Sequence, residues 1–179
     1  MSTVAPHIIE RAARGERQAF ATLVELCYAR GLRFAQHMLG NREDAEEALQ
    51  DTFVRVHDNL SRFRIDTPFD PWFFRILANR CRTLAGKRKR HAALIEYSDS
   101  PPDGSFEDRP QFEWRGAVER ALETLPDEQR EAFLLRHVEE MSYEDMATIT
   151  GTRAATLRMR VSRACDALRS QLQEAQVHG

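Results

Sequence analysis

Apolar positions recur at steps of three and four along nearly the whole chain, and no stretch alternates apolar and polar over four or more residues. The pattern predicts helices and no sheet. A first helix is expected over 8–14, stopped by Gly15. A second covers 17–39, with Phe20, Leu23, Cys27, Phe34, Ala35 and Met38 near helical spacing and some drift around Gly31. Gly40 reads as a C-terminal stop, and Asn41 with Asp44 as a capping box opening a third helix over 42–60. That helix has an apolar stripe of Ala45, Leu49, Phe53, Val56 and Leu60. Its first turns hold Glu43, Asp44, Glu46 and Glu47, which suit the positive end of the helix dipole. After a loop over 61–70, Asp70 and Pro71 mark the N-cap and first position of a fourth helix over 72–90, with Phe73, Ile76, Leu77 and Leu84 facing inward.

The stretch EYSDSPPDGSFEDRPQ, 96–111, is rich in Ser, Pro, Gly and acid and reads as a linker. Four more helices are expected beyond it, over 112–125, 126–138, 142–149 and 152–173. Leu125-Pro126 breaks the first from the second, and Ser142 with Asp145 caps the third. The predicted fold is therefore all-α. Two small helical domains, 1–93 and 112–179, are joined by a flexible acidic linker over 94–111.

Bulk charge hides how the charges are arranged. The 179 residues carry 26 Lys and Arg against 28 Asp and Glu, a net charge of -2. Over 61–93, however, Arg62, Arg64, Arg75, Arg80, Arg82, Lys87, Arg88, Lys89 and Arg90 oppose only Asp66 and Asp70, a net of +7. Over 152–170, Arg153, Arg158, Arg160, Arg163 and Arg169 oppose only Asp166, a net of +4. Between the two patches, 94–116 holds six acids against Arg109 and Arg115, a net of -4. A single basic helix face is ordinary; two of them on two domains point to a polyanionic partner.

Other chemistries find no foothold. No apolar run approaches the roughly 18 residues of a membrane span, so no membrane insertion is expected. The opening Met1-Ser2-Thr3-Val4-Ala5-Pro6 lacks the basic and apolar parts of a signal peptide, so a cytoplasmic protein is expected. Cys27, Cys81 and Cys165 are too scattered for a zinc or disulfide framework and read as free thiols. His7, His37, His57, His91, His137 and His178 show no ligand spacing. There is no phosphate-binding loop, zinc-protease motif or nucleophile elbow, so neither enzyme activity, small-molecule substrate, metal nor cofactor is expected.

Residues 142–169, SYEDMATITGTRAATLRMRVSRACDALR, have the form of a helix-turn-helix, with a Gly-containing turn at Thr150-Gly151. In the second helix Leu157, Val161, Ala164 and Leu168 make the buried stripe. Arg153, Thr156, Arg158, Met159, Arg160, Ser162 and Arg163 remain for a DNA major groove, where arginine bonds guanine edges or grips phosphates. The fourth helix differs, because it interleaves rings with cations. Phe63, Phe69, Trp72 and Phe74 lie in or beside a loop flanked by arginines. Duplex readers rarely need exposed aromatics, but single-strand binders stack bases on them. Phe69, Phe73 and Phe74 have a competing role as core.

The two halves together resemble the extracytoplasmic-function (ECF) group of bacterial sigma-70 factors. The resemblance is carried by DAEEALQDTFVRVHDNLSRFR (44–64), PFDPWFFRILANRCRTLAGKRKR (68–90) and LPDEQREAFLLRHVEEMSYEDMATITGTRAATLRMRVSRACDALR (125–169). It implies binding to core RNA polymerase through Asp44, Leu49, Gln50, Asp51, Phe53 and Val56. It implies minus-ten recognition and melting through Phe63, Arg64, Phe69, Trp72, Arg75, Asn79, Arg80 and Arg82. The helix-turn-helix is expected to read the minus-thirty-five duplex of promoter DNA, and an anti-sigma factor is an expected partner. Ile65, Pro68 and Pro71 stand where the family commonly has small or polar residues, and Asp70 where a basic one is frequent, which implies a stiffer capture loop. The alternatives are a duplex-binding regulator that works without polymerase and a sigma-like decoy. Neither would require an aromatic-basic helix together with a second arginine-rich face.

Overall fold

The computed structural model describes the backbone of residues 4–95 and 113–177, so most of the expected linker, 94–111, and the expected helix start at 112 lie outside the described residues. Among the described residues there are eight α-helices and no strand: α1 (Pro6–Ala13), α2 (Arg17–Leu39), α3 (Arg42–Asn59), α4 (Phe69–Ile95), α5 (Glu113–Thr124), α6 (Asp127–Phe133), α7 (Tyr143–Thr150) and α8 (Ala154–Val177). A 3-10 turn, Leu60–Arg62, ends α3, and a π-helical turn, Leu134–Val138, extends α6. The backbone divides into two compact units, parted between Arg90 and His91 except that Thr148–Thr150 group with the first.

In the first unit α1–α4 enclose Leu23, Phe34, Leu49, Leu60, Phe69, Phe73, Phe74 and Leu77, all fully buried. The predicted capping box is present: Asn41 Oδ1 accepts the Asp44 amide at 2.8 Å, after Gly40 has closed α2 at φ 75°. The drift in the α2 stripe has a steric cause. A Cβ on the buried Gly31 would lie 2.7 Å from Leu49 Cδ1 and 3.1 Å from Phe73 Cζ, so Gly31 is where α3 and α4 side chains press on the α2 backbone. Gly31→Leu is expected to overpack this crossing and cost about 3 kcal/mol, read as a lower urea midpoint; an unchanged midpoint would contradict the close approach.

The start of α4 departs from expectation. The helix begins at Phe69, so Asp70 lies in its first turn and is not the N-cap. Phe69 is buried against Phe63 and Phe73, which draws the turn into the core. Asp70 is buried as well and accepts a 2.8 Å bond from Arg30 of α2, whose guanidinium also lies 5.3 Å from the Phe74 ring centroid. That partner is 40 residues away, beyond the reach of a local capping rule. Cys27 and Cys81 are buried and Cys165 half-buried, all three as free thiols; burial, then the Asp70 charge, pushes the Cys27 thiol up to about 12.

In the second unit α5–α8 bury Leu122, Leu125, Leu134, Leu135, Met146, Ile149, Leu157, Val161, Ala164 and Leu168. Ser142 Oγ accepts the Asp145 amide at 3.0 Å, and Gly151 at φ 70° makes the turn between α7 and α8. The second helix of this pair starts at Ala154, two residues later than the sequence pattern suggested.

Candidate nucleic-acid interfaces

The rings of the first unit form a chain that runs from core to surface. Phe34 packs on Phe74 and Phe74 on Phe73, at 5.3 Å between centroids in each case. Phe73 stacks on Phe69 at 6.2 Å, and Phe69 backs both Phe63 (5.7 Å) and Trp72 (5.6 Å). Phe63 and Trp72 meet at 4.8 Å and are half-buried. Phe69 is 1% exposed and Phe74 equally sealed, so both leave the list of base-stacking candidates: α4 starts early enough to turn them inward. Their contribution is to hold the two outer rings in place, a preorganised platform for a flat ligand.

Cations flank this platform. Trp72, Arg75 and Asn79 follow at helical spacing on the exposed side of α4, and Arg82 donates to the Asn79 side chain. Arg64 in the loop is bonded to Asp66 (2.6 and 3.2 Å), but both side chains are largely exposed, so a phosphate competes easily with that pair. The apolar Ile65 beside it is exposed too. Arg80 is different. It leaves α4 on another flank and pairs with Glu47 and Asp51 of α3.

On α3 two candidates for polymerase docking are displaced by the fold. Leu49 is 1% and Val56 0% exposed, because they are the stripe that packs α3 into the core, and a core side chain cannot also face a partner. Phe53 is half-buried against Phe73. Asp44 is tied to the Asn41 cap and to Arg88. Gln50 is exposed and Asp51 half-exposed. Between them and the end of the helix stands Val54, 59% exposed, which lies outside the apolar stripe and so carries no signal in the sequence pattern.

In the second unit the helix-turn-helix presents α8. Thr156, Met159, Ser162 and Arg163 share the side opposite the buried Leu157, Val161, Ala164 and Leu168, and Met159 is 53% exposed at its centre. Arg153 is exposed just ahead of the first turn. Arg158 sits at one edge with its guanidinium 4.9 Å from the Tyr143 ring centroid, and Arg136 approaches the same ring at 5.2 Å. Tyr143 is a further element missed in the sequence, since nothing local shows that two arginines converge on it. Arg160 lies at the other edge, bonded to Glu128 of α6 and to the Thr152 hydroxyl. Those bonds make Arg160 a brace between α6 and α8, less available for a base edge than Arg163.

Family comparison joins the two surfaces. Sigma-70 region 2 matches residues 23–91 and Sigma-70, region 4 matches residues 115–168. The ECF RNA polymerase sigma factor EcfG of Rhodopseudomonas palustris is 33% identical over 137 residues, covering 73% of this chain and 72% of that protein. This chain belongs to the ECF sigma factors. The ECF RNA polymerase sigma factor SigW of Bacillus subtilis is also similar, at 26% identity over 93% of this chain and 95% of SigW. Among solved structures, the sigma factor RpoE in complex with the anti-sigma factor NepR from Bartonella quintana superposes with a TM-score of 0.74 at 27% identity, covering 86% of this chain and 96% of that one. CnrH in complex with the cytosolic domain of CnrY gives 0.72 at 27% identity, covering 94% and 97%. The sigma factor described here thus directs core RNA polymerase to promoters and initiates transcription. Its aromatic platform lies within the region 2 match, and α7 with most of α8 lies within the region 4 match.

Proposed function

We propose that the two units divide promoter recognition by the state of the DNA. The first docks on core polymerase through α3 and holds an unpaired non-template base of the minus-ten element against Phe63 and Trp72. Arg64, Arg75 and Arg82 neutralise the neighbouring phosphates, with Asn79 beside them. The second lays α8 in the major groove of the minus-thirty-five duplex. The observation that carries this reading is the half-buried Phe63–Trp72 ring pair at the outer end of the aromatic chain, beside a cationic stripe, because paired bases leave such rings nothing to stack on. Binding one state of the DNA better than the other is what shifts it toward opening. Holoenzyme is therefore expected to bind a promoter fragment with its minus-ten non-template strand unpaired well above the fully duplex fragment. Equal affinities would overturn the division of labour.

Arg163→Ala supplies the matching test on the second unit. The exposed guanidinium is suited to a phosphate or guanine edge. Its loss is expected to weaken binding to fragments that contain the upstream duplex element and to lower the salt slope by about one, with no effect on fragments lacking that element. Unchanged salt dependence would remove Arg163 from the interface. The solved RpoE was captured with the anti-sigma factor NepR, and an anti-sigma factor is proposed as this protein's regulator, acting in the compartment that holds the polymerase.

A further inference from the structure

Arg80 was expected to touch DNA, but its surroundings assign it elsewhere. It follows Asn79 directly, so it projects about 100° around α4 from that residue and off the Trp72–Arg75–Asn79 stripe. Its Nη2 meets Glu47 Oε1 at 2.7 Å and Asp51 Oδ2 at 2.7 Å, bridging α4 to α3 with one nitrogen. The Arg80 side chain is 14% exposed, whereas those of Glu47 and Asp51 are 54% and 43% exposed. Arg80 Nε is buried without a hydrogen-bond partner, so the guanidinium reaches the acid pair at the expense of its own satisfaction. The cation is covered and the anions are presented, which is the wrong way round for a phosphate contact.

Glu47 and Asp51 are four residues apart on one helix face, where like charges repel and the side chains splay. A shared cation fixes both. A carboxylate has about four lone-pair sites, so each acid keeps acceptor capacity for an outside partner while bonded to Arg80. Gln50, exposed, and Val54, 59% exposed, adjoin them on α3.

We propose that Arg80 is a positioning residue of the polymerase-docking face: it holds Glu47 and Asp51 as a fixed acid pair beside Val54, shaped for a basic surface on core RNA polymerase, and it does not contact promoter DNA. Glu47, whose only role in the sequence was to complement the helix dipole, becomes a docking residue. The proposal rests on the reading of α3 as the docking helix.

Equilibrium binding of the full-length factor to core RNA polymerase tests it. Arg80→Ala is expected to bind about five- to tenfold more weakly, the cost of reordering two freed side chains. Arg80→Lys is expected to stay within about twofold of wild type, because a single ammonium can serve both acids. In a Glu47→Gln/Asp51→Asn background, Arg80→Ala is expected to add no further loss. At saturating core polymerase, Arg80→Ala holoenzyme should bind open-promoter DNA as wild type does. Wild-type or tighter core affinity in Arg80→Ala, a failed lysine rescue, or a loss of DNA affinity at saturating core would each overturn the proposal. Val54→Ala separates this from the underlying reading. If Val54→Ala weakens core binding and Arg80→Ala does not, only the positioning role fails. If Val54→Ala, Glu47→Gln and Asp51→Asn all bind normally, α3 is not the docking helix.

Discussion

Trp72→Ala is expected to leave closed-complex affinity within about twofold and to lower the open-complex population by roughly 5- to 150-fold, the range of a lost base–aromatic stack of about 1–3 kcal/mol. The asymmetry follows from chemistry. A base offers its face to Trp72 only after it leaves the duplex, so the interaction exists in one state and not in the other. Truncation also removes packing on Phe63 and Phe69, whose centroids lie 4.8 and 5.6 Å away, so Trp72→Phe is the necessary companion. It keeps a ring and is expected to recover most of the opening. Permanganate reactivity of unpaired thymines reports opening, and filter binding reports the closed complex. Equal losses in both assays, or no recovery with Trp72→Phe, would remove Trp72 from base capture.

Arg130→Met is expected to cost the second unit about 3 kcal/mol and to lower its thermal midpoint by more than about 10 °C. Arg130 is buried at the junction of α5 and α6. Nε donates to the Leu122 carbonyl at 2.8 Å, and Nη2 donates to the carbonyls of Glu123 at 2.7 Å and Leu125 at 2.9 Å. These are carbonyls at the end of α5, which an α-helix cannot satisfy internally. Burial pulls the guanidinium below its ordinary value, and Asp127 at 3.8 Å offsets part of that. Met fills similar volume but donates to none of these carbonyls: Leu122 keeps only the 3.2 Å bond from the Leu125 amide, and the buried bond to the Leu125 carbonyl is lost. Arg130→Lys is expected to rescue little, because one ammonium cannot span three carbonyls in the fork geometry. Calorimetry on the full chain reads the result; a midpoint within 2 °C of wild type would show that the carbonyls find other donors.

These cases show what the sequence carried. Helix existence, the Asn41 and Ser142 caps and the stops at Gly40 and Gly151 were legible because each depends on neighbours within four residues. The two cationic faces were legible as well, since charge is additive along a helix and survives ignorance of the packing. What failed was the sorting of residues that can face either way. Leu49 and Val56 matched a docking helix by motif and a core stripe by spacing, and the core took both. Phe69 looked like a loop aromatic until α4 began three residues early. Arg80, Arg160 and Asp70 share one difficulty: each is an ion-pair partner across 30 to 40 residues, and no local rule shows which of many acids or arginines will arrive.

The most direct test of the whole account is in vitro transcription with purified core polymerase, genomic DNA and this sigma factor, with the 5′ ends of the RNA mapped. Discrete starts are expected, each preceded by two short sequence elements at a fixed separation. They should weaken several-fold or more when Trp72→Ala or Arg163→Ala replaces the wild-type protein, although both variants still assemble with core. Selective starts undiminished by either substitution, or RNA no more selective than core polymerase makes alone, would contradict recognition by two separate cationic surfaces.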